Sequence, residues 1–283
     1  MAKRILIYAN CQGLVVAKAV RAHPDLATTD IRIVENYKDD PAVQEVAASC
    51  DLVLAQMVHG EKFRKRFAAI VSALPPDART VRFPAMHASH LWPQFFQDYT
   101  VKPEPGYKHG RFPWGDKLLI NLVRQGGSKA AILEQYLAAN LAEKFDLKGL
   151  YRLALGGMQQ LETECDVAIS DIYAQNIFER QTFFSPYHAA NYIVNAISNR
   201  MFAALGLRTL QDDELPQGNL LRDAELPIHR SVAAFFGVKF IHPDTTYLSR
   251  AGTQVSEREL CSEYIDWLLQ RQAQAAQPAT VTA

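Results

Sequence analysis

The chain has 283 residues, of which 48% are hydrophobic, 21% charged and 10% aromatic, a composition that builds one large core or two closely packed ones and excludes a disordered polypeptide. Its 30 basic and 30 acidic side chains give a formal charge of zero, so no overall field draws it to nucleic acid or to an anionic membrane. Four separated cysteines, Cys11, Cys50, Cys165 and Cys261, form no C-x-x-C pair, which argues against a structural zinc site or a disulfide framework.

In chain order, the run Arg4 to Ala9 is rich in Ile and Leu and reads as a buried first strand. It ends in Asn10-Cys11-Gln12-Gly13, and the apolar residues Leu14 to Val20 then read as a helix. Ile31 to Val34 is a second strand, and Asp40-Pro41 opens a helix that continues through Ala42 to Ser49. Asp51 to Gln56 is a third strand, Glu61 to Leu74 a helix, and Thr80 to Phe83 a fourth strand closed by Pro84. Strands alternating with helices predict a short, mainly parallel sheet. Ligands in such sheets bind at the carboxyl ends of the strands, where Asn10 to Gly13, Gln56 to Gly60 and Pro84 to His90 all fall.

Gln97 to Gly115 reads as an irregular loop rich in proline and aromatic residues. Helices are predicted over Asp116 to Arg124, Ser128 to Glu143, Met158 to Phe178, Ala189 to Leu205 and Pro227 to Phe236, and a strand over Val238 to Ile241. Ser128 reads as an N-cap, and Ser256 to Glu259 as the capping box of a last helix reaching Gln270. The expected organisation is an α/β subdomain over 1–100, a mostly helical part over 101–272 and a flexible tail over 273–283. No apolar run is long enough to span a bilayer and the N-terminus is not a signal peptide. The expectation is a cytoplasmic protein with reduced thiols and no metal.

Cys11 draws the first chemical reading. At a strand-to-helix turn its thiol lies near a helix N-terminus, which favours a thiolate and attracts anions. It is either a nucleophile or a small buried hydrophobe. Asn10, Gln12 and Gly13 are the donors and the close-approach residue expected around an oxyanion. His188, between Pro186 and a helix start, is either a general base or a cap, and Asn191 could orient it. His59 and His87 lie on the rim of the strand ends. Lys62, Arg64, Lys65 and Arg66 form either a solvated helix face or a phosphate contact, and Arg180 is a further anion candidate. No G-x-G-x-x-G, P-loop, G-x-S-x-G or H-E-x-x-H occurs.

Taken together, Asn10-Cys11-Gln12-Gly13 after an apolar strand, Asp51 to Gln56, Phe83-Pro84 with its His-containing loop, and Arg180 through Phe183-Phe184 to His188 and Asn191 resemble the WcbI-type polysaccharide biosynthesis acetyltransferases. These segments lie in the family's order and span most of the chain up to about residue 240. Where the family pattern often has Pro after the His, this chain has Ala189. The resemblance implies an α/β subdomain embedded in a predominantly helical, cradle-like fold. It implies coenzyme A or acetyl-CoA as co-substrate, a carbohydrate acceptor and other polysaccharide biosynthesis proteins as partners. Cys11, His188 and Asn191 would then be catalytic. Asn10, Gln12, Gly13, Gln56, His59, Arg64, Arg66, His87 and Arg180 would bind the cofactor. The alternatives are an SGNH-like Cys/His esterase and a non-catalytic module that binds CoA or a nucleotide.

Overall fold

The computed structural model describes residues 4–276. In chain order its elements are β1 (Arg4–Ala9), α1 (Gly13–Ala22), β2 (Asp30–Glu35), α2 (Val43–Ala47), β3 (Leu52–Met57), α3 (Glu61–Ala73), β4 (Arg79–Pro84) and a short pair, β5 (Phe95–Gln97) and β6 (Trp114–Asp116). Then come α4 (Lys117–Gln125), α5 (Lys129–Ala138), α6 (Leu147–Glu162), α7 (Ser170–Asn176), α8 (Asn191–Ala204), α9 (Arg230–Phe236), the strands β7 (Thr246–Leu248) and β8 (Gln254–Ser256), and α10 (Glu257–Ala276). The chain groups into two compact units, each made of two stretches. Among the described residues one holds 4–89 and 149–222, the other 90–148 and 223–276. A division along the chain at residue 100 does not describe this grouping, because α8 returns to pack on α1 and β4 of the first unit.

The first unit is built on a four-stranded parallel sheet of order β2-β1-β3-β4. Every residue of β3, and β1 from Ile5 to Ala9, is buried, as a central parallel strand covered on both faces requires. Alternation divides the faces. Leu6, Tyr8, Val53 and Ala55 join the cluster with Phe63 and Ile70 of α3 and Leu161 of α6, where the Tyr8 and Phe63 rings stack at 5.8 Å. Ile7 and Ala9 face α1. A Cβ on Gly13 would meet Ala9 Cβ at 3.1 Å and Ile7 Cγ2 at 3.3 Å, so glycine lets α1 start close against the sheet.

In the second unit β5 and β6 pair antiparallel, so the stretch expected to be irregular from Gln97 to Gly115 is framed by a strand pair. Asp116 caps α4 by accepting from the N–H groups of Leu118 and Leu119 and from the Tyr136 hydroxyl at 2.7 Å. Burial pushes its carboxyl up to about 6. Ser128 caps α5 through the Ala131 N–H. Ser256 and Glu259 exchange the two bonds of a capping box at the head of α10.

Several boundaries differ from the sequence expectation. The helix expected over Met158–Phe178 is two, α6 ending at Glu162, whose side-chain Oε1 accepts from the N–H groups of Ile169 and Ser170 at 2.6 Å each and so holds the start of α7. Asn140 ends the helix predicted to reach Glu143 and caps a separate 3-10 turn. Val238 to Ile241 is not a strand but the turn that follows the left-handed Gly237 closing α9. Of the expected flexible tail, 273–276 form the end of α10, and 277–283 lie outside the described residues.

Candidate active site at the end of the first strand

The order 2-1-3-4 makes the chain cross from one side of β1 to the other after β2. The carboxyl ends of β1 and β3 therefore flank the topological switch point, where open α/β sheets hold ligands. Buried amides fill this point. Asn10 N–H donates to Gln56 Oε1 at 3.0 Å, and Gln56 Nε2 donates to Gln12 Oε1 at 2.7 Å. Gln12 Nε2 donates to the carbonyls of Met86 at 2.9 Å and Tyr187 at 3.1 Å. The Gln12 N–H donates to Asn10 Oδ1 at 2.9 Å, and Asn36 Nδ2 to the Gln56 carbonyl at 3.3 Å.

Space is left on the β2 side. A cleft of about 480 Å³ is lined by Asn10, Cys11, Leu14, Ile33, Val34, Glu35, Lys38, Asp39, Asp40 and Pro41. Cys11 is half-buried and carries a free thiol. Its Sγ lies 3.9 Å from the Tyr187 carbonyl. In the turn, the N–H groups of Gly13, Leu14 and Val15 bond back to the carbonyls of Asn10, Cys11 and Gln12. Among the described residues the Cys11 N–H and Asn10 Nδ2 have no hydrogen-bond acceptor, so two residues that line the cleft keep a donor each. Tyr37 is coupled by charge to the Cys11 thiol. Burial, its bond to Glu35 and the thiolate all push the Tyr37 phenol well above its ordinary range.

His188 and His87 sit on two loops, and neither lines the cleft. Phe184 N–H donates to the His188 carbonyl at 2.8 Å and Phe183 bridges Ala189 antiparallel, so the loop closes around His188 with alanine next to it. Ala88 N–H donates to the Pro186 carbonyl at 2.9 Å, joining the two loops. The His87 ring lies 6.2 Å from that of Tyr187, and its Nδ1 is 3.2 Å from Ser89 Oγ. Burial, helped by the nearby His59, lowers the affinity of His87 for a proton. His59 Nε2 faces the Gly157 carbonyl at 3.0 Å, so this nitrogen carries the proton.

The other expected residues have definite places. Gln12, Gly13 and Gln56 are buried and face protein. Asn191 Nδ2 donates to the carbonyls of Pro216 and Gln217, and its Oδ1 accepts from Leu220 N–H, which ties down the 216–220 loop. Arg64 is paired with Glu164 at 2.7 Å. Arg66 pairs with Asp39 on the cleft wall and donates to the Asn36 carbonyl, and Lys62 approaches the same Asp39 at 3.4 Å. The Arg180 guanidinium lies over the Tyr192 ring at 3.2 Å from its centroid. Lys38 and Asn36 escaped the sequence reading, since nothing in a β-strand end marks the loop that follows it as a cleft wall. Among the described residues no three His, Cys, Asp or Glu side chains form a metal-binding group.

Parallel strands whose carboxyl ends present an open thiol beside a cleft define an α/β protein with a ligand site at the strand ends. The family model described as the polysaccharide biosynthesis enzyme WcbI matches residues 4–210, and the chain belongs to that family of polysaccharide biosynthesis enzymes. A solved structure of WcbI is similar in fold, with a TM-score of 0.71 at 18% identity over 95% of this chain and 90% of the other. It is described as native protein without a disulfide bond between CoA and one of its cysteines. No curated protein matches the sequence. No described helix is long and apolar enough to cross a membrane.

Proposed function

We infer that this chain is a cytoplasmic CoA-dependent acyltransferase that moves an acetyl group to a sugar hydroxyl during surface or capsular polysaccharide synthesis. The observation that carries the reading is the half-buried Cys11 thiol opening on the cleft beside β2. The description of the WcbI structure, which names CoA together with one of its cysteines while stating that the two are not disulfide-bonded, supports CoA as the ligand class. The residues present fit such a ligand. Leu14, Ile33 and Val34 offer apolar wall, and Lys38, paired with Glu35, and Arg66, paired with the cleft residue Asp39, offer cations that phosphate oxygens would compete for. Arg64 is paired with Glu164, and neither residue lines the cleft.

Acetyl-CoA supplies an activated thioester. On this reading the Cys11 N–H and Asn10 Nδ2, whose bonding capacity is unspent, receive the negative charge developing on an acyl oxygen. His188 takes the proton leaving the acceptor hydroxyl. Other polysaccharide biosynthesis proteins would be its partners. Calorimetric titration with CoA and acetyl-CoA tests the reading. Binding by the wild-type protein, with acetyl transfer to a sugar acceptor abolished in His188→Ala while CoA still binds, is the expected result. Absence of CoA binding by the wild-type protein overturns it.

A further inference from the structure

Gln12 is wholly buried, and its side chain makes three hydrogen bonds. The oxygen accepts from Gln56, and the nitrogen, with its two N–H groups, donates to the carbonyls of Met86 and Tyr187. Each of those carbonyls belongs to the residue directly before a histidine. One neutral amide thus fastens the loop after β4 and the loop before α8 to the turn that carries Cys11. We propose that Gln12, braced by Gln56, is a positioning residue that sets the His87 and His188 loops against the Cys11 thiol. This rests on the reading of Cys11 and His188 as groups that work together.

The argument is one of geometry and satisfaction. A peptide carbonyl held by a hydrogen bond fixes the plane that leads into the next residue. Two carbonyls converging on one nitrogen therefore fix the backbone entering both histidines. The Ala88 to Pro186 bond then locks the loops to each other. A side chain of similar volume without N–H groups removes this donor from the buried Met86 carbonyl and from the Tyr187 carbonyl together, which releases the two loops from the turn. Glutamine does not titrate, so its influence on pH-dependent chemistry has to pass through the histidines.

The test reads the pH dependence of Cys11 alkylation by iodoacetamide, followed on the Cys11 peptide by mass spectrometry. Glu35, Lys38, Asp39 and Asp40 line the cleft beside the thiol, Tyr37 is coupled to the thiol by charge, and His59 is coupled likewise to His87. His87→Ala and His188→Ala therefore assign the step that belongs to imidazole. In the wild-type protein a histidine-linked step is expected besides that of the thiol, and in folded Gln12→Met that step is lost. Gln56→Met is expected to shift the same step by less, and it is read alone where circular dichroism shows Gln12→Met unfolded. A Gln12→Met profile equal to wild type overturns the proposal. So does a wild-type profile that neither histidine variant alters, or, where Gln56→Met is read alone, a profile it leaves unchanged. The readout uses no CoA, so a protein that fails to bind CoA defeats the proposed function and leaves this test standing.

Discussion

The two compact units bury polar groups in contrasting ways. The first places neutral amides, Gln12 and Gln56, at the sheet's carboxyl edge, each fully enclosed and joined to the other. The second encloses a carboxyl, Asp116, among Tyr136, the α4 N–H groups and the Tyr264 hydroxyl that accepts from its own N–H. The first network ties the end of β1 to that of β3, and the second holds the end of β6 to the helix that follows it. Only the second can change charge. A scaffold of amides keeps its shape across the pH range in which a histidine must gain and lose a proton, whereas a buried carboxyl ties the stability of its unit to pH.

That contrast can be broken first at Asp116. Asp116→Ala removes a helix cap and strands several buried donors, and should cost about 3 kcal/mol in urea unfolding. All three tryptophans, Trp92, Trp114 and Trp267, belong to the second unit, so their fluorescence reports on it. The sign of the pH effect comes from the raised carboxyl. Its folded value, about 6 against 3.8, means the folded unit holds the proton more tightly than the unfolded chain. The stabilising contribution is complete below the lower value and is lost as pH rises through the upper one. Asp116→Asn should flatten that decline between these two values.

In the first unit, Gln56→Ala leaves the Asn10 N–H and the Gln12 oxygen unpaired and should cost about 2 kcal/mol. Hydrogen exchange of the Asn10 amide measures it, and the loss should be the same at pH 5 and pH 8 on the scale of about 0.5 kcal/mol. Gly13→Ala should cost about 1 kcal/mol by pressing on Ala9 and Ile7, read as a lowered unfolding midpoint. The smallest effect separates two arginines on one helix. Arg66→Ala should weaken CoA binding by about threefold to tenfold in calorimetry, while Arg64→Ala should leave it within about twofold.

The parallel sheet was legible because β1 and β3 are continuous apolar runs set between helical periods, a pattern that buried strands alone require. The Cys11 turn was legible because four residues poor at extending a strand come directly after one. The clamp on Gln12 was not, since its acceptors are backbone carbonyls of Met86 and Tyr187, and a carbonyl carries no mark in the sequence. Nor was the pairing of Arg64 with Glu164, which joins residues 100 apart in the chain, or the break after Glu162, whose side chain bonds forward to the N–H groups of Ile169 and Ser170. The β5–β6 pair escaped because each strand is only three residues long, too short to show alternation.

The account depends on Cys11 lining the place where CoA binds. Alkylation of each cysteine by iodoacetamide, with and without CoA and under reducing conditions, tests this directly by mass spectrometry. Cys165 is the internal reference, its thiol pushed up to about 12 by burial. At about ten times its Kd, CoA should slow labelling of Cys11 about tenfold and leave Cys165 unchanged. Equal labelling of Cys11 with and without bound CoA would place the ligand elsewhere and contradict the account.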